Sequence, residues 1–326
     1  MTPRERVRRA VLFQRPDRVP WDLPQPWGSD FLGVGPSADP SFAPAEPGAD
    51  EWGCVWAKLH GDKTMGQVVG HPLDDYAKLA DYTFPNYNLD VRYESARTAA
   101  RANPDEKFVL ASVPVVFIHR LEYLRGHENA WTDPYEHPQE LDALLTRLAD
   151  IAIDAIHRMA DLGADGIISC DDWGQQDRPI FSPQIFREHF KPHYARVYAA
   201  ARQRGLLCFL HSCGYIIDLL EDFIDAGLQV IQQDQQENMG VGELASGFGG
   251  RLCFWCPVDI QKTMIDGSLD DVRAYARRLI DAFGCFDGGF IAKWYPSPDA
   301  VNHTPQRIAA MAEAFVEHGQ KAYASA

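Results

Sequence analysis

The chain has 326 residues, 46% of them hydrophobic, and a formal net charge of −15. That charge, without any Lys/Arg run, argues against nucleic acid and anionic membranes as partners, since both need clustered cations. No apolar run approaches the ~18 residues of a membrane span, and the basic N-terminus lacks the apolar core of a signal peptide, so the protein is read as cytoplasmic.

Thr2-Pro3-Arg4-Glu5 is a capping box with proline at the first helical position, and the pattern predicts a helix to about Phe13. A short strand over Val19–Leu23 follows. Residues 24–90 are rich in Pro, Gly and Trp and read as an irregular insertion, with a hairpin over 50–73. A regular rhythm then begins: a helix over Tyr93–Ala102, a buried strand over 107–115, and a helix over Pro138–Leu162 stopped by Gly163. "ADGIISCDDWG" (164–174) is a strand ending in two carboxylates. Ser182-Pro183 caps a helix to about Gln203, and "LLCFLHSCG" (206–214) is the next strand. A helix over Ile216–Ala226, strands over 228–235, 251–259 and 288–293, and helices over Asp270–Phe283 and Thr304–His318 complete the pattern.

Strands alternating with helices over more than half the chain predict a parallel sheet. No G-x-G-x-x-G or P-loop is present, so a doubly wound nucleotide-binding sheet has no motif behind it. The expected fold is α/β: a TIM-like (β/α)8 barrel, one domain over 1–326, with an N-terminal helix and the insertion 24–90 near the mouth. The strand ends carry Asp171/Asp172, His211/Cys213, Gln233/Asp234, Cys256/Asp259 and Lys293/Trp294/Tyr295. In a barrel these ends form the active-site face.

Residues i and i+2 of a strand share a face. His211 and Cys213 therefore point together, behind Leu207 and Phe209, and thiolate plus imidazole is a zinc-type donor pair. The alternative is a satisfied histidine beside a buried thiol. A third ligand is expected from a neighbouring strand end: Cys256 first, then Asp171 or Asp172, Asp234, Asp259, or His303 folding back. Cys253-x-x-Cys256 is not read as a redox pair, because a strand puts the two thiols on opposite faces, whereas redox pairs sit at helix N-termini. The seven cysteines of a cytosolic chain are expected reduced.

Several segments make the chain resemble the uroporphyrinogen decarboxylase superfamily over nearly its full length. They are "MTPRERVRRAVLFQRPDRVPW", "GADGIISCDDWGQQDRPIFSPQIFREHFKPHY", "HSCGYIIDLLEDFIDAGLQVIQQDQ", "VDIQKTMIDGSLDDVRAYARRLI" and "GGFIAKWYPSPDAVNHTPQRIAAMAEAF". The resemblance implies a TIM-like barrel with its site at the C-terminal mouth. The family's decarboxylases carry an Arg-Gln-Ala-Gly-Arg segment after the first strand, where this chain has "WDLPQPWGSDF" with no arginine. A polycarboxylated porphyrinogen needs such cations. The family's other branch comprises zinc-dependent methyltransferases that work with corrinoid proteins, and His-x-Cys on this strand is its hallmark. Members of the coenzyme M type place a cysteine after the last strand, where this chain reads "IAKWYPSPDAVNH".

The resemblance thus implies zinc at His211 and Cys213, with Cys256 or a carboxylate completing the set. It further implies a corrinoid (cobalamin) carried by a separate partner protein, and methyl transfer from a small methylated substrate or onto a thiol. A methoxylated aromatic, opened by O-demethylation, suits the aromatic residues near the mouth, of which Trp21, Trp27, Trp173 and Trp294, with Gln233, are the expected substrate contacts. Asp172, Lys293 and Tyr295 are the expected catalytic groups: Asp172 to orient His211 or act as acid, Lys293 to meet a carboxylate or phenolate. A metal-free decarboxylase or lyase acting on a carboxylated small molecule, and a non-catalytic binding barrel, are the alternatives. Homo-oligomers are common among barrels.

Overall fold

Ten strands form among the described residues, which are 1–58, 66–115 and 117–323 of this computed structural model. They are β1 (Trp21–Asp22), β2 (Phe31–Val34), β3 (Val55–Ala57), β4 (Gln67–Gly70), β5 (Phe108–Ser112), β6 (Gly166–Cys170), β7 (Leu207–His211), β8 (Val230–Gln232), β9 (Cys253–Cys256) and β10 (Phe290–Lys293). Eight of them make one sheet in the order β1-β10-β9-β8-β7-β6-β5-β2, and every pairing within it is parallel. Strands adjacent in sequence are adjacent around a (β/α)8 barrel, as expected. β3 and β4 pair antiparallel as the hairpin read from 50–73.

β2 corrects the reading of 24–90 as wholly irregular. It is the second barrel strand, and its four residues, "FLGV", are too short and glycine-broken to show a period. It is joined to β1 through Asp30. The Asp30 N–H donates to Trp21 O at 2.8 Å, and its carboxylate accepts from Trp21 N–H and from both Arg18 Nη atoms within 2.9 Å.

The barrel interior is filled by Phe31, Phe108, Leu110, Leu207, Phe209, Val230, Cys253, Trp255 and Ile291. Val7 and Val11 of the helix Pro3–Val11 join the same cluster. This helix closes the N-terminal end: Arg4 N–H donates to Glu106 O just before β5, and Gly289 N–H to Ala10 O just before β10. The alternate residues of each strand, including Ile167, Cys208, Leu210, Ile231, Phe254, Cys256 and Ala292, face the helices. The helix Pro138–Asp161 meets them with Leu141, Leu144, Leu145, Leu148 and Ile156, a stripe at helical spacing. Ser268 and Asp271 form a capping box for the helix Leu269–Phe283, and Thr304 caps Pro305–Gly319.

Four helices were not legible: Ile118–Arg125, His127–Glu136, Val241–Phe248 and the single turn Thr263–Asp266. The first buries Glu122 and Arg125 beside Ile118, Leu121 and Leu124, so no clean polar face marks it, and the second contains Pro134. Among the described residues no helix is long and apolar enough to cross a membrane.

Candidate metal and active site

β7 carries the centre of the site. Leu207 and Phe209 lie inside the barrel, so strand parity sends His211 inward at the C-terminal mouth. The chain then turns at Gly214 with φ of 79°, where a Cβ would collide with the Gly174 carbonyl. The turn brings Cys213 Sγ to 3.3 Å from His211 Nε2. On the next strand, Gln232 pairs in register with His211, and its Oε1 accepts from His211 Nδ1. That contact places the imidazole proton on Nδ1 and leaves Nε2 facing the thiol. Gln232 Nε2 donates to Asp234 Oδ1 at 2.9 Å, and Lys293 Nζ donates to the same oxygen at 2.7 Å. From β6, Asp172 brings Oδ1 to 3.4 Å from His211 Nε2 and accepts the Cys213 N–H at 2.6 Å.

Two ligand-type groups share His211. His211, Cys213 and Asp234 offer one donor atom each within 4.8 Å of one another, and so do Cys170, Asp172 and His211. Burial opposes charge on His211, but Asp172 and Cys213 outweigh it and raise the imidazole well above its ordinary value. Burial pushes the Cys213 thiol up, with His211 acting against it. Burial would also raise Asp172, but the His211 contact prevails and lowers it. The cluster favours a positive charge at its centre, whether proton or metal ion. Its imidazole, thiol and carboxylate donors are a zinc-type set, with the histidine already oriented by an outer amide. The residues therefore fit a zinc ion.

A cavity of about 650 Å³ adjoins this cluster, lined in part by Trp56, His119, Tyr123, Cys170 and Asp172. Trp56, on β3, meets Tyr123 edge to face at 5.1 Å, so the hairpin forms an apolar wall. His119 Nε2 lies 3.6 Å from Asp172 Oδ2, and its Nδ1 lies 3.2 Å from Cys170 O. Burial opposes its charge, but the Cys170 contact and the carboxylates of Asp171 and Asp172 raise the imidazole to about 9.

The remaining expected residues divide sharply. Tyr295 is half-buried, with its ring 6.3 Å edge to face from that of His303, and its phenol is raised by burial and then by Asp234 and Cys213. Lys293 is inward but already paired with Asp234. Cys256, the expected third ligand, is corrected: its neighbour Trp255 points into the barrel, so Cys256 points outward into the helix-facing core. Asp234 stands nearer the pair. Trp173 is fully buried in the helix-facing core and donates Nε1–H to Tyr194 OH at 2.8 Å among Phe181, Phe186 and Phe190. Trp21 also faces outward, beneath the Arg18 guanidinium at 3.2 Å. Trp27 and Trp294 pack partly buried against that same outer core. Gln233 is buried and makes no side-chain hydrogen bond among the described residues, while Gln232 takes the inward role. Asp259 caps a turn, accepting from the N–H groups of Gln261, Lys262 and Thr263, and His303 Nε2 is engaged by Ile260 O at 3.1 Å.

A family model described as uroporphyrinogen decarboxylase (URO-D) matches residues 59–317. Among solved structures, a methyltransferase from Methanosarcina mazei superposes with a TM-score of 0.70 at 17% identity, covering 98% of this chain and 99% of that one. That likeness concerns the fold. A xylose isomerase domain protein from Alicyclobacillus acidocaldarius gives 0.40 at 12% identity, covering 79% and 96% of the two chains. No curated protein matches.

Proposed function

The chain belongs to the uroporphyrinogen decarboxylase family, and we propose that within it this barrel is a methyltransferase with a zinc site at His211, Cys213 and Asp234. The methyl group moves between a small methylated substrate, such as a methoxylated aromatic, and a corrinoid presented at the mouth by a separate protein, or from that corrinoid to a thiol. The observation that carries the reading is the convergence of three donor atoms within 4.8 Å, with the imidazole held by Gln232. The segment 21–31, without an arginine, favours this over decarboxylation of a polycarboxylate.

A bound zinc supplies Lewis acidity to the oxygen or sulfur that exchanges the methyl group. The protein's own groups do the rest. Gln232 fixes the His211 tautomer, and Lys293 holds one Asp234 oxygen in place. Asp172 accepts the Cys213 N–H and so sets the loop that carries the thiol. His119 holds a proton at Nε2 on the cavity wall, available to an oxygen that loses its methyl group. Trp56 and Tyr123 shield that oxygen from water on the hairpin side.

The test is metal analysis of the full chain purified under reducing conditions. About one zinc per chain is expected in the wild type, and close to none in His211→Ala and Cys213→Ala, each still folded by circular dichroism. A metal-free wild type that retains methyl transfer to added cobalamin would sink the zinc reading.

A further inference from the structure

The cavity beside Asp172 contains a cation that no acid among the described residues pairs with. Arg120, near the start of the helix Ile118–Arg125, lines this cavity together with Trp56, His119, Tyr123 and Asp172. Its Nε and Nη1 are buried and have no hydrogen-bond acceptor among the described residues. The fully buried arginines of the chain are treated differently. Arg6 is paired with Asp17 and Asp30, Arg92 with Glu51, and Arg125 with Asp133. Arg120 is instead held by ring faces, its guanidinium 4.2 Å from the Trp52 centroid and 5.6 Å from that of Tyr123. Ring faces steady a guanidinium but accept none of its in-plane N–H groups.

The acids that line the cavity are committed elsewhere, and so is Asp50 beside Cys54, which accepts from the N–H groups of Trp52 and Cys54 and from Trp56 Nε1–H. Glu122 accepts Trp131 Nε1–H at 2.9 Å and lies 3.3 Å from His127. Asp172 is shared among His119, His211 and the Cys213 N–H. The Cys54 thiol lies beside Arg120 but is no counter-ion: burial raises it to about 12 although Arg120 acts against the rise, and its Sγ–H donates to Tyr123 O. A desolvated guanidinium with unmade hydrogen bonds is costly, and an entering anion that meets its planar fork relieves that cost.

We infer that Arg120 binds a carboxylate of the small-molecule substrate, so that the methyl donor is a methoxylated aromatic acid rather than a neutral ether. The inference rests on the methyl-donor reading of the adjoining site. Arg120 would hold the acid at one end of the cavity, Trp56 and Tyr123 would flank the ring, and the methoxy group would turn toward Asp172 and the His211 cluster.

Isothermal titration of the purified full chain with 4-methoxybenzoate and with 4-methoxybenzamide tests this. The acid and the amide have nearly the same shape and differ in charge. The wild type is expected to bind the acid about tenfold to hundredfold more tightly, the range for one charge-assisted hydrogen-bond set. Arg120→Met, which keeps a side chain against Trp52, should lose that preference, and Arg120→Lys should keep part of it. No binding of the acid, equal affinity for both probes in the wild type, or a preference that persists in Arg120→Met would overturn the inference. If Arg120→Met fails to fold, the wild-type comparison and Arg120→Lys decide. Titration reads binding alone. A preference for the acid without methyl transfer to cobalamin would therefore sink the methyltransferase reading and leave the anion site standing.

Discussion

Asp171 and Asp172 are neighbours in sequence and have opposite surroundings. Asp171 faces the helices, fully buried, and accepts the N–H groups of Phe117 and His119 and the Tyr194 hydroxyl. Tyr194 in turn accepts from Trp173, and Phe181, Phe186, Phe190 and Phe223 surround that indole. Burial raises the Asp171 carboxyl above its ordinary range, despite its donors. Asp172 faces the mouth, among His119, His211 and Cys213, and is lowered because His211 outweighs burial. Gln232 and Gln233, Trp255 and Cys256, and Lys293 and Trp294 repeat the contrast on the following strands. At the ends of β6, β8 and β10 the inward residue lies with the His211 cluster and the outward one with the scaffold, whereas on β9 the inward Trp255 fills the barrel core.

The contrast predicts that damage to the two faces is separable. Trp173→Ala removes a fully buried indole at the centre of the outward aromatic cluster and is expected to lower stability by about 3–5 kcal/mol. Denaturant unfolding measures the loss, and zinc bound per folded chain should stay at the wild-type level. If folded Trp173→Ala protein were short of zinc in proportion to His211→Ala, the two faces would be one unit and the comparison would fail.

A smaller effect is expected on the inward face from a residue that touches no metal. Gln232→Leu removes the acceptor for His211 Nδ1–H and the donor to Asp234 while keeping the side-chain volume. Loss of an outer-shell partner of this kind weakens metal binding by about 10–100-fold. Competition with a zinc chelator reads that change directly. Gln233→Leu, one residue along, should leave the chelator titration where it was, since Gln233 makes no side-chain hydrogen bond among the described residues. Equal effects of the two substitutions would break the parity argument.

The barrel was legible because its signals are local and repeated: buried strands, glycine stops after helices, and helix caps at Thr2 and Ser182, whose side chains accept from the Glu5 and Ile185 N–H groups. His211 and Cys213 do come together, but β7 ends at His211, so the turn at Gly214 rather than period-2 parity brings the thiol to the imidazole. What failed was parity across strands. Both faces of a barrel strand are apolar, so "RLCFWC" does not say whether Trp255 or Cys256 points inward. The stack of Trp255 on Phe31, with centroids 4.9 Å apart, settles it through a strand, β2, that the sequence did not reveal. Arg120 and His119 lie on a short helix without a polar face, so nothing in the pattern set them at the cavity.

Cys256 gives the smallest and most discriminating expectation. Read from sequence, it was the natural partner for His211 and Cys213, and its replacement would then empty the site. In the structure Cys256 is fully buried against the outer core, facing away from both. Its burial holds the thiol far above the ordinary range, so it is a neutral, space-filling group. Cys256→Ala removes one sulfur atom from a packed interior and is expected to cost about 1 kcal/mol, the scale of a single deleted methyl-sized group. Zinc content and chelator resistance should not change. Asp234→Asn, by contrast, removes the carboxylate charge while keeping the shape and should weaken zinc retention; it also leaves the buried Lys293 ammonium without its counter-ion, so some loss of stability is expected with it. A chain that keeps its zinc as Asp234→Asn but loses it as Cys256→Ala would require β9 to turn its other face inward, which Trp255, stacked on Phe31, does not permit.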